Sequence, residues 1–319
     1  MTHALIIADI EGIAGVYDLR DKEKNSRLYT QEIEVCVKSL LEGGIDKITI
    51  CDAHDAGNLI DPKITRHGNV KLVSQVDGLL FNPKYDFAIL AGFHGMSGSR
   101  GILPHTIRDN FKEVAVIEPR TGTVIPIGEV ELYTRWLGSN GVPVILVTGD
   151  RESVYEANCF NPYRQTCCIK SYHQKNAYDL DVLQRKLVLS VESALQLDKE
   201  LCISQDNNEI IIEFYNPDVT EALAAEGYNI KQGKVLFANC AELVKGLYPL
   251  IDRLIQLDSE IWTVNRAFLL EVRTLAQHLK KEDLYESEIG HLLNKNLLQL
   301  DTTSREKILA KIHGLIETQ

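Results

Sequence analysis

The chain has no excess of positive charge. Its formal net charge is −11, and a protein that works on a phosphate backbone needs a basic face, so nucleic acid is not an expected partner. No apolar run approaches the roughly 20 residues that span a bilayer, which removes the membrane as well. The opening residues enter a strand pattern at once, without the basic segment, apolar stretch and cleavage site of a signal peptide; the expected location is the cytoplasm. Cysteine is scattered as Cys36, Cys51, Cys159, Cys167, Cys168, Cys202 and Cys240. No CxxC pair occurs among these, which excludes a zinc ribbon and a thioredoxin-like motif. The adjacent Cys167-Cys168 reads as two small semi-buried thiols in a reducing compartment. Internal repeats and low-complexity segments are absent, and so is G-x-G-x-x-G. Gly12-Ile13-Ala14-Gly15 has a different spacing, and the acids before it would repel a nucleotide phosphate.

What is present is an alternation of strands and helices. The 319 residues, 45% of them hydrophobic, can bury a full core in one large or two modest domains. Ala4–Ile7, Lys47–Cys51, Val70–Val73, Tyr85–Gly92 and Gly141–Asp150 read as strands, and Val114–Ile117 with Thr123–Ile127 as a hairpin around Thr121-Gly122. Between the first two, Thr30 is the expected cap of a helix burying Ile33, Val37, Leu40 and Leu41 and stopped by Gly43-Gly44, with Asp18–Arg27 an exposed loop before it. A further helix opens at Gly128-Glu129. Strand, helix, strand in this order implies parallel pairing with crossovers. The expected fold is α/β, three-layered, with a largely parallel sheet covered by helices on both faces. Residues 1–165 would form the α/β catalytic domain. Residues 166–257 would form a smaller α/β subdomain, with a helix over Leu180–Leu197, a strand at Ile210–Phe214, helices over Pro217–Ala225 and Ala241–Ile255, and a strand at Val235–Ala238. Residues 258–319 carry leucines at helical spacing and no strand pattern, a helical C-terminal extension whose Leu297, Leu298 and Leu300 pack against a neighbouring element.

The chemistry gathers at the strand ends. Ala8-Asp9-Ile10-Glu11-Gly12 places two carboxylates one residue apart where the first strand stops, pointing the same way because side chains alternate. Two like charges that close need a cation or a proton between them. The plain alternative for such an acid is a helix cap or turn residue. Ligands in a parallel α/β sheet collect beyond the C-terminal ends of the strands, and two other strands end in His54 and His94 while Glu129 starts a helix just after a fourth. Singly, each histidine is a loop or core residue more often than a ligand, and Glu129 is an ordinary first-turn acid. Together, two histidines and three carboxylates form a metal-ligand set, too many for one open zinc and suited to two ions sharing a carboxylate.

These residues carry a resemblance. Asp9-Ile10-Glu11-Gly12-Ile13-Ala14-Gly15, Asp52-Ala53-His54, Gly92-Phe93-His94, Pro104-His105-Thr106 and Gly128-Glu129 stand in the order and approximate spacing of the bacterial D-aminopeptidase family. The similarity covers about residues 4 to 158, and the region to about 256 in element order. It implies two zinc ions per subunit. Asp9 would bridge them, with Glu11 and His54 on one ion and His94 and Glu129 on the other. It implies His105 as a catalytic histidine off the metal, short peptides with an N-terminal D-residue as substrates, and a homo-oligomer of ten subunits in a double ring. The chain departs from the family pattern at Ala53-His54-Asp55, where Ser-His-Gly is usual. It departs again at Glu131, where small residues are common, and in the extension Ser259–Gln319.

The implied chemistry is attack of a metal-activated water on the scissile carbonyl, with His105 donating to the oxyanion or protonating the leaving amine. Asp55 or Glu131 is a possible anchor for the substrate amine, against the plainer reading of each as a solvated surface acid. Other hydrolytic reactions at the same metals remain as alternatives. A phosphoesterase is disfavoured by the scarcity of basic residues near the motifs, Arg100 and Arg108 being the nearest. A non-catalytic metal-binding interaction protein is disfavoured by His105, which a metal site alone does not need.

Overall fold

The first strand, β1 (His3–Ala8), is buried from Ala4 onward, and a strand that is apolar on both faces belongs inside a sheet covered on both sides. The computed structural model describes residues 1–54, 57–74, 79, 85–171, 179–276 and 297–317. They divide into two compact units. The first holds Met1–Asp109, Glu113–Ile210 and Phe237–Lys245; the second holds Asn110–Lys112, Ile211–Leu236 and Gly246–Gln319.

In the first unit, β1 is joined by β2 (Lys47–Asp52), β3 (Val70–Ser74), β4 (Phe87–Phe93), β7 (Val144–Asp150) and β8 (Gln165–Lys170) in a six-stranded sheet of order β3-β2-β1-β4-β7-β8. Every pairing in it is parallel. Helices α1 (Lys22–Glu42) and α4 (Leu180–Leu195) lie together on one face, closing a core with Ile6, Ile50, Ile89 and Ile169 of the strands and Ile33, Val37 and Val191 of the helices. Helices α2 (Glu129–Ser139) and α3 (Arg151–Phe160) cover the other face, where Tyr133 meets Phe93 edge-on. The parallel, three-layered α/β fold expected from the sequence is the one observed. The hairpin around Gly122 is present too, as β5 (Phe111–Ile117) and β6 (Val124–Pro126). These two strands belong to a second sheet of order β10-β11-β9-β5-β6, with β9 at Glu209–Phe214, β10 at Ile230–Lys231 and β11 at Lys234–Phe237.

Three local differences from the sequence reading have physical reasons. Helix α1 starts well before Thr30, with Asp21 as its cap accepting from Lys24 N at 3.1 Å. Its first residues are exposed and charged, good helix formers that leave no apolar periodicity to read. Thr30 instead lies inside the helix and accepts from Asp61 N at 2.9 Å. Helix α3 and strand β8 were not expected: α3 has few buried residues, and β8 reads Gln-Thr-Cys-Cys-Ile-Lys, polar at its start because it is the last strand of its sheet.

In the second unit, Gln232 and Gly233 both have positive φ (53° and 74°) and join β10 to β11 in a two-residue hairpin. Helix α5 (Pro217–Ala225) has Pro217 in its first turn and Asn216 as its cap. Helix α6 runs from Cys240 to Ala276 with Pro249 inside it, so the sequence boundary at 257/258 falls within a continuous helix. Helix α7 (Thr302–Glu317) packs Ile308 and Ile312 with Phe268, Val272 and Leu300. Asn265, buried, donates to Leu300 O at 3.0 Å and accepts from Arg305 at 2.6 Å. Leu300 is therefore a core residue, while the side chain of Leu297 lies outside the described residues. No described helix is long and apolar enough to cross a membrane.

Candidate metal centre

The parallel sheet delivers its chemistry to one edge. In spatial order, β2, β1, β4, β7 and β8 end at or just before His54, Asp9 with Glu11, His94, Asp150 and Lys170. Two glycines allow β1 and β4 to bring their ends together. Gly12 N donates to Gly92 O at 2.7 Å. A Cβ on Gly12 would overlap the Phe93 carbonyl oxygen, and one on Gly92, whose φ is 77°, would overlap that of Asp9. A side chain at either position would push Asp9 and Glu11 away from His94.

The six predicted residues converge. His54 Nδ1 stands 2.9 Å from Glu11 Oε2 and 3.5 Å from Asp9 Oδ1. His94 Nε2 stands 3.4 Å from Asp9 Oδ2 and 3.4 Å from Glu129 Oε1. His105 Nε2 stands 3.8 Å from Glu11 Oε1, its ring stacked on that of His94 with centroids 4.2 Å apart. The donor atoms fall into two groups, Asp9 with Glu11 and His54, and His94 with His105 and Glu129, each within 4.8 Å of one another. Asp9 turns one oxygen toward each group. The geometry thus places His105 beside the second set of donors, although the family resemblance implies a role for it off the metal.

Two observations show that the set fits cations. Asp9 Oδ2 and Glu11 Oε2 are buried and have no hydrogen-bond partner among the described residues, even though imidazole nitrogens lie close by. At these distances the imidazole nitrogens and carboxylate oxygens can be joined by a shared cation or proton. The donors are also the carboxylate and imidazole groups that divalent transition metals prefer. Beside them lies a cleft of about 410 Å³, lined by Asp9, His54, His105 and Glu129 together with Lys22 and Leu59.

The charges inside the protein respond to one another. Burial opposes a charge on His54, but Asp9 and Glu11 together outweigh it and push the imidazole up to about 11. His94 is likewise pushed up to about 10 against burial, by Glu129, Asp9 and Glu11. For Glu11, burial is outweighed by His54, which brings the carboxyl down to about 2. Asp9 is raised, by burial and by the neighbouring Glu11. The acids thus favour the charged forms of His54 and His94, so a metal binding at those nitrogens competes with protons.

Several positioning groups escaped the sequence reading. Ile107 adopts a left-handed backbone, φ 65°, which is costly for a β-branched residue. That conformation aims its N–H at Glu129 Oε1, 2.7 Å away. Asp150 caps α3 through Ser153 N (2.8 Å) and accepts from Gly95 N (3.1 Å), tethering the residue after His94. Lys170, only 1% exposed, donates to the carbonyl of Glu11, and burial lowers its pKa to about 8. Asp52 accepts from Leu59 N, Ile60 N and Tyr29 Oη, holding the loop that carries His54. The Asp in Asp52-Ala53-His54 was a visible signal; the single lysine ending an unrecognised strand was not. Glu131 is neither an amine anchor nor a surface acid: it is buried and its Oε1 takes the Arg135 guanidinium at 2.7 Å. Asp55 lies outside the described residues.

A D-aminopeptidase, from Bacillus subtilis (strain 168), is 25% identical over 244 residues, covering 70% of this chain and 86% of that protein. The structure of the Zn-dependent D-aminopeptidase DppA from Bacillus subtilis, described as a self-compartmentalizing protease, superposes with a TM-score of 0.67. It covers 79% of this chain and 97% of its own at 23% identity, a likeness that speaks for the fold. The peptidase M55 family model, described as D-aminopeptidase, matches residues 3–242, and the chain belongs to that family.

Proposed function

We propose that this protein is a dinuclear zinc aminopeptidase that hydrolyses short peptides, with preference for an N-terminal D-residue. The observation that carries the reading is the convergence of the Asp9, Glu11 and Glu129 carboxylates with the His54 and His94 imidazoles in two donor groups, where Asp9 Oδ2 and Glu11 Oε2 are buried without a hydrogen-bond partner among the described residues. Asp9 would bridge the ions, Glu11 and His54 would hold one, and His94 and Glu129 the other. Bound zinc supplies Lewis-acid polarisation of the peptide carbonyl and acidifies water.

The remaining work falls to side chains. His94 Nδ1 lies 2.9 Å from Gly95 O, so a neutral His94 would keep its proton on Nδ1 and offer the Nε2 lone pair to a metal. His105 Nδ1 is placed in the same way against Leu103 O at 3.1 Å, leaving Nε2 directed toward Glu11. A neutral His105 can therefore accept a proton at Nε2 and pass it to the leaving amine. Residues 1–165 contain every candidate ligand and are assigned the catalytic chemistry. Residues 166–257 and 258–319 are assigned as the smaller α/β subdomain and the helical extension. A homo-oligomer, a decamer by family resemblance, is proposed as the working assembly, in keeping with the self-compartmentalizing relative. Seven free thiols suit a cytoplasmic setting.

The test is elemental analysis of the purified protein combined with amino acid release from a D-Ala and an L-Ala dipeptide. The expected result is close to two zinc ions per chain and faster release from the D-substrate. Zinc-loaded protein that cleaves neither dipeptide overturns the reading.

A further inference from the structure

Helix α2 begins at Glu129, and the residue before it, Gly128, has no side chain with which to cap the exposed N–H groups of the first turn. The acceptor comes from another helix. Glu156 of α3 is 2% exposed, and its Oε1 accepts from Gly128 N at 2.8 Å and from Glu131 N at 3.0 Å. A Cβ on Gly128 would overlap Glu156 Oε2 and press on Met96 Cβ, so the glycine and the glutamate fit only as a pair. On its other side, Glu129 Oε1 is held by the Ile107 N–H at 2.7 Å. Between these two restraints Glu129 Oε1 stands 3.4 Å from His94 Nε2.

We propose that Glu156 is a positioning residue for the metal centre: by capping α2 from α3 it sets where the Glu129 carboxylate stands, and through it the affinity of the His94 and Glu129 side of the centre for metal. The proposal rests on the reading of Glu129 as a ligand. Sites of this kind tolerate displacements of only about half an ångström, and a first turn without an acceptor frays at the residue that carries the ligand. The two N–H groups are served by Oε1 alone, so an amide should replace the carboxyl without loss.

The experiment titrates apo protein with Zn²⁺ against a competing chelator, and with Co²⁺ followed by its visible spectrum. It compares wild type, Glu156→Ala, Glu156→Gln, Gly128→Ala and Glu129→Ala, with Asp179→Ala as a cap-loss control, since Asp179 caps α4. Glu156→Ala is expected to weaken the second metal by about 10- to 100-fold while the first is unaffected, as loss of an outer partner of a ligand typically does. Glu156→Gln is expected to bind like wild type, and Gly128→Ala to reproduce the Glu156→Ala defect by crowding the same contact. Asp179→Ala should lower the melting temperature only. Wild-type affinity for both metals in Glu156→Ala, or in Gly128→Ala if the former does not fold, overturns the proposal. A Glu156→Gln as defective as the alanine variant also overturns it. If Glu129→Ala itself keeps both metals, the ligand reading falls instead, so the two failures are distinct.

Discussion

Two acid-rich regions lie next to each other in the first unit and have opposite fates. At the strand ends, Asp9, Glu11 and Glu129 face His54, His94 and His105, with buried oxygens that no hydrogen bond satisfies. Behind α2, Glu131 and Glu156 are equally buried and each also keeps an Oε2 with no hydrogen-bond partner among the described residues, but their Oε1 atoms are held by groups that cannot bind a metal: one by Arg135 and the other by two backbone N–H groups. Burial drives Glu156 up to about 8 and raises Glu131 as well. The lesson is that buried acids alone do not mark a metal site. What separates the two regions is the kind of neighbour, since guanidinium and backbone N–H only donate hydrogen bonds while imidazole nitrogens can themselves be metal donors beside the carboxylates.

The comparison is broken most sharply at Asp9. Asp9→Ala should abolish binding of both metals and with it activity, because the carboxylate turns one oxygen to each group of donors; a variant with unchanged metal content would remove the bridging role. Next comes His105→Ala, expected to lower kcat on a D-aminoacyl peptide by about 100-fold to 10,000-fold with both metals retained. Metal content and kcat measured on one preparation decide this, since lost metal would make His105 a ligand and full activity would make it scaffold. On the other side of the comparison, Arg135→Ala leaves Glu131 Oε1 without its cation and should cost about 1–3 kcal/mol in denaturant unfolding. Its metal affinity should match wild type, and any loss there would show that the two regions are not separate.

The last test is one of pH. Glu32 is partly buried, accepts from Ala14 N at 3.1 Å, and has an enclosed Oε1 without a hydrogen-bond partner; burial raises its pKa to about 8. Between its ordinary value and about 8 the folded protein holds a proton that the unfolded chain has released. Stability therefore falls as pH rises through that window, by at most about 1.4 kcal/mol per unit. Glu32→Gln should flatten this slope, matching wild type near pH 4.5 and exceeding it at pH 8. Parallel unfolding curves at both pH values would refute the assignment.

Much of the site was legible because strand ends announce themselves: a buried, largely apolar run stops, and polar side chains follow at once, Asp9 with Glu11, Asp52 with His54, and His94. Helix α1's early start was hidden because exposed first turns carry no periodicity, and β8 because a polar edge strand looks like loop. Lys170 and Glu156 were illegible for a different reason. Each is an ordinary charged residue in its own segment, and its importance comes from a backbone group far away in sequence, at Glu11 and at Gly128.

The sequence by itself determined the parallel α/β architecture and pointed to five candidate donors, because these follow from local periodicity and from the residue types at strand ends, while His105 was reached through the family resemblance. Only the tertiary structure decided that Glu131 is spent on Arg135, that Ile107 is held in a left-handed conformation to reach Glu129, and that Glu156 caps a helix other than its own. Those are matters of which lone pair meets which N–H across the fold. No local pattern encodes such pairings, because the partners become neighbours only when the sheet and its helices pack.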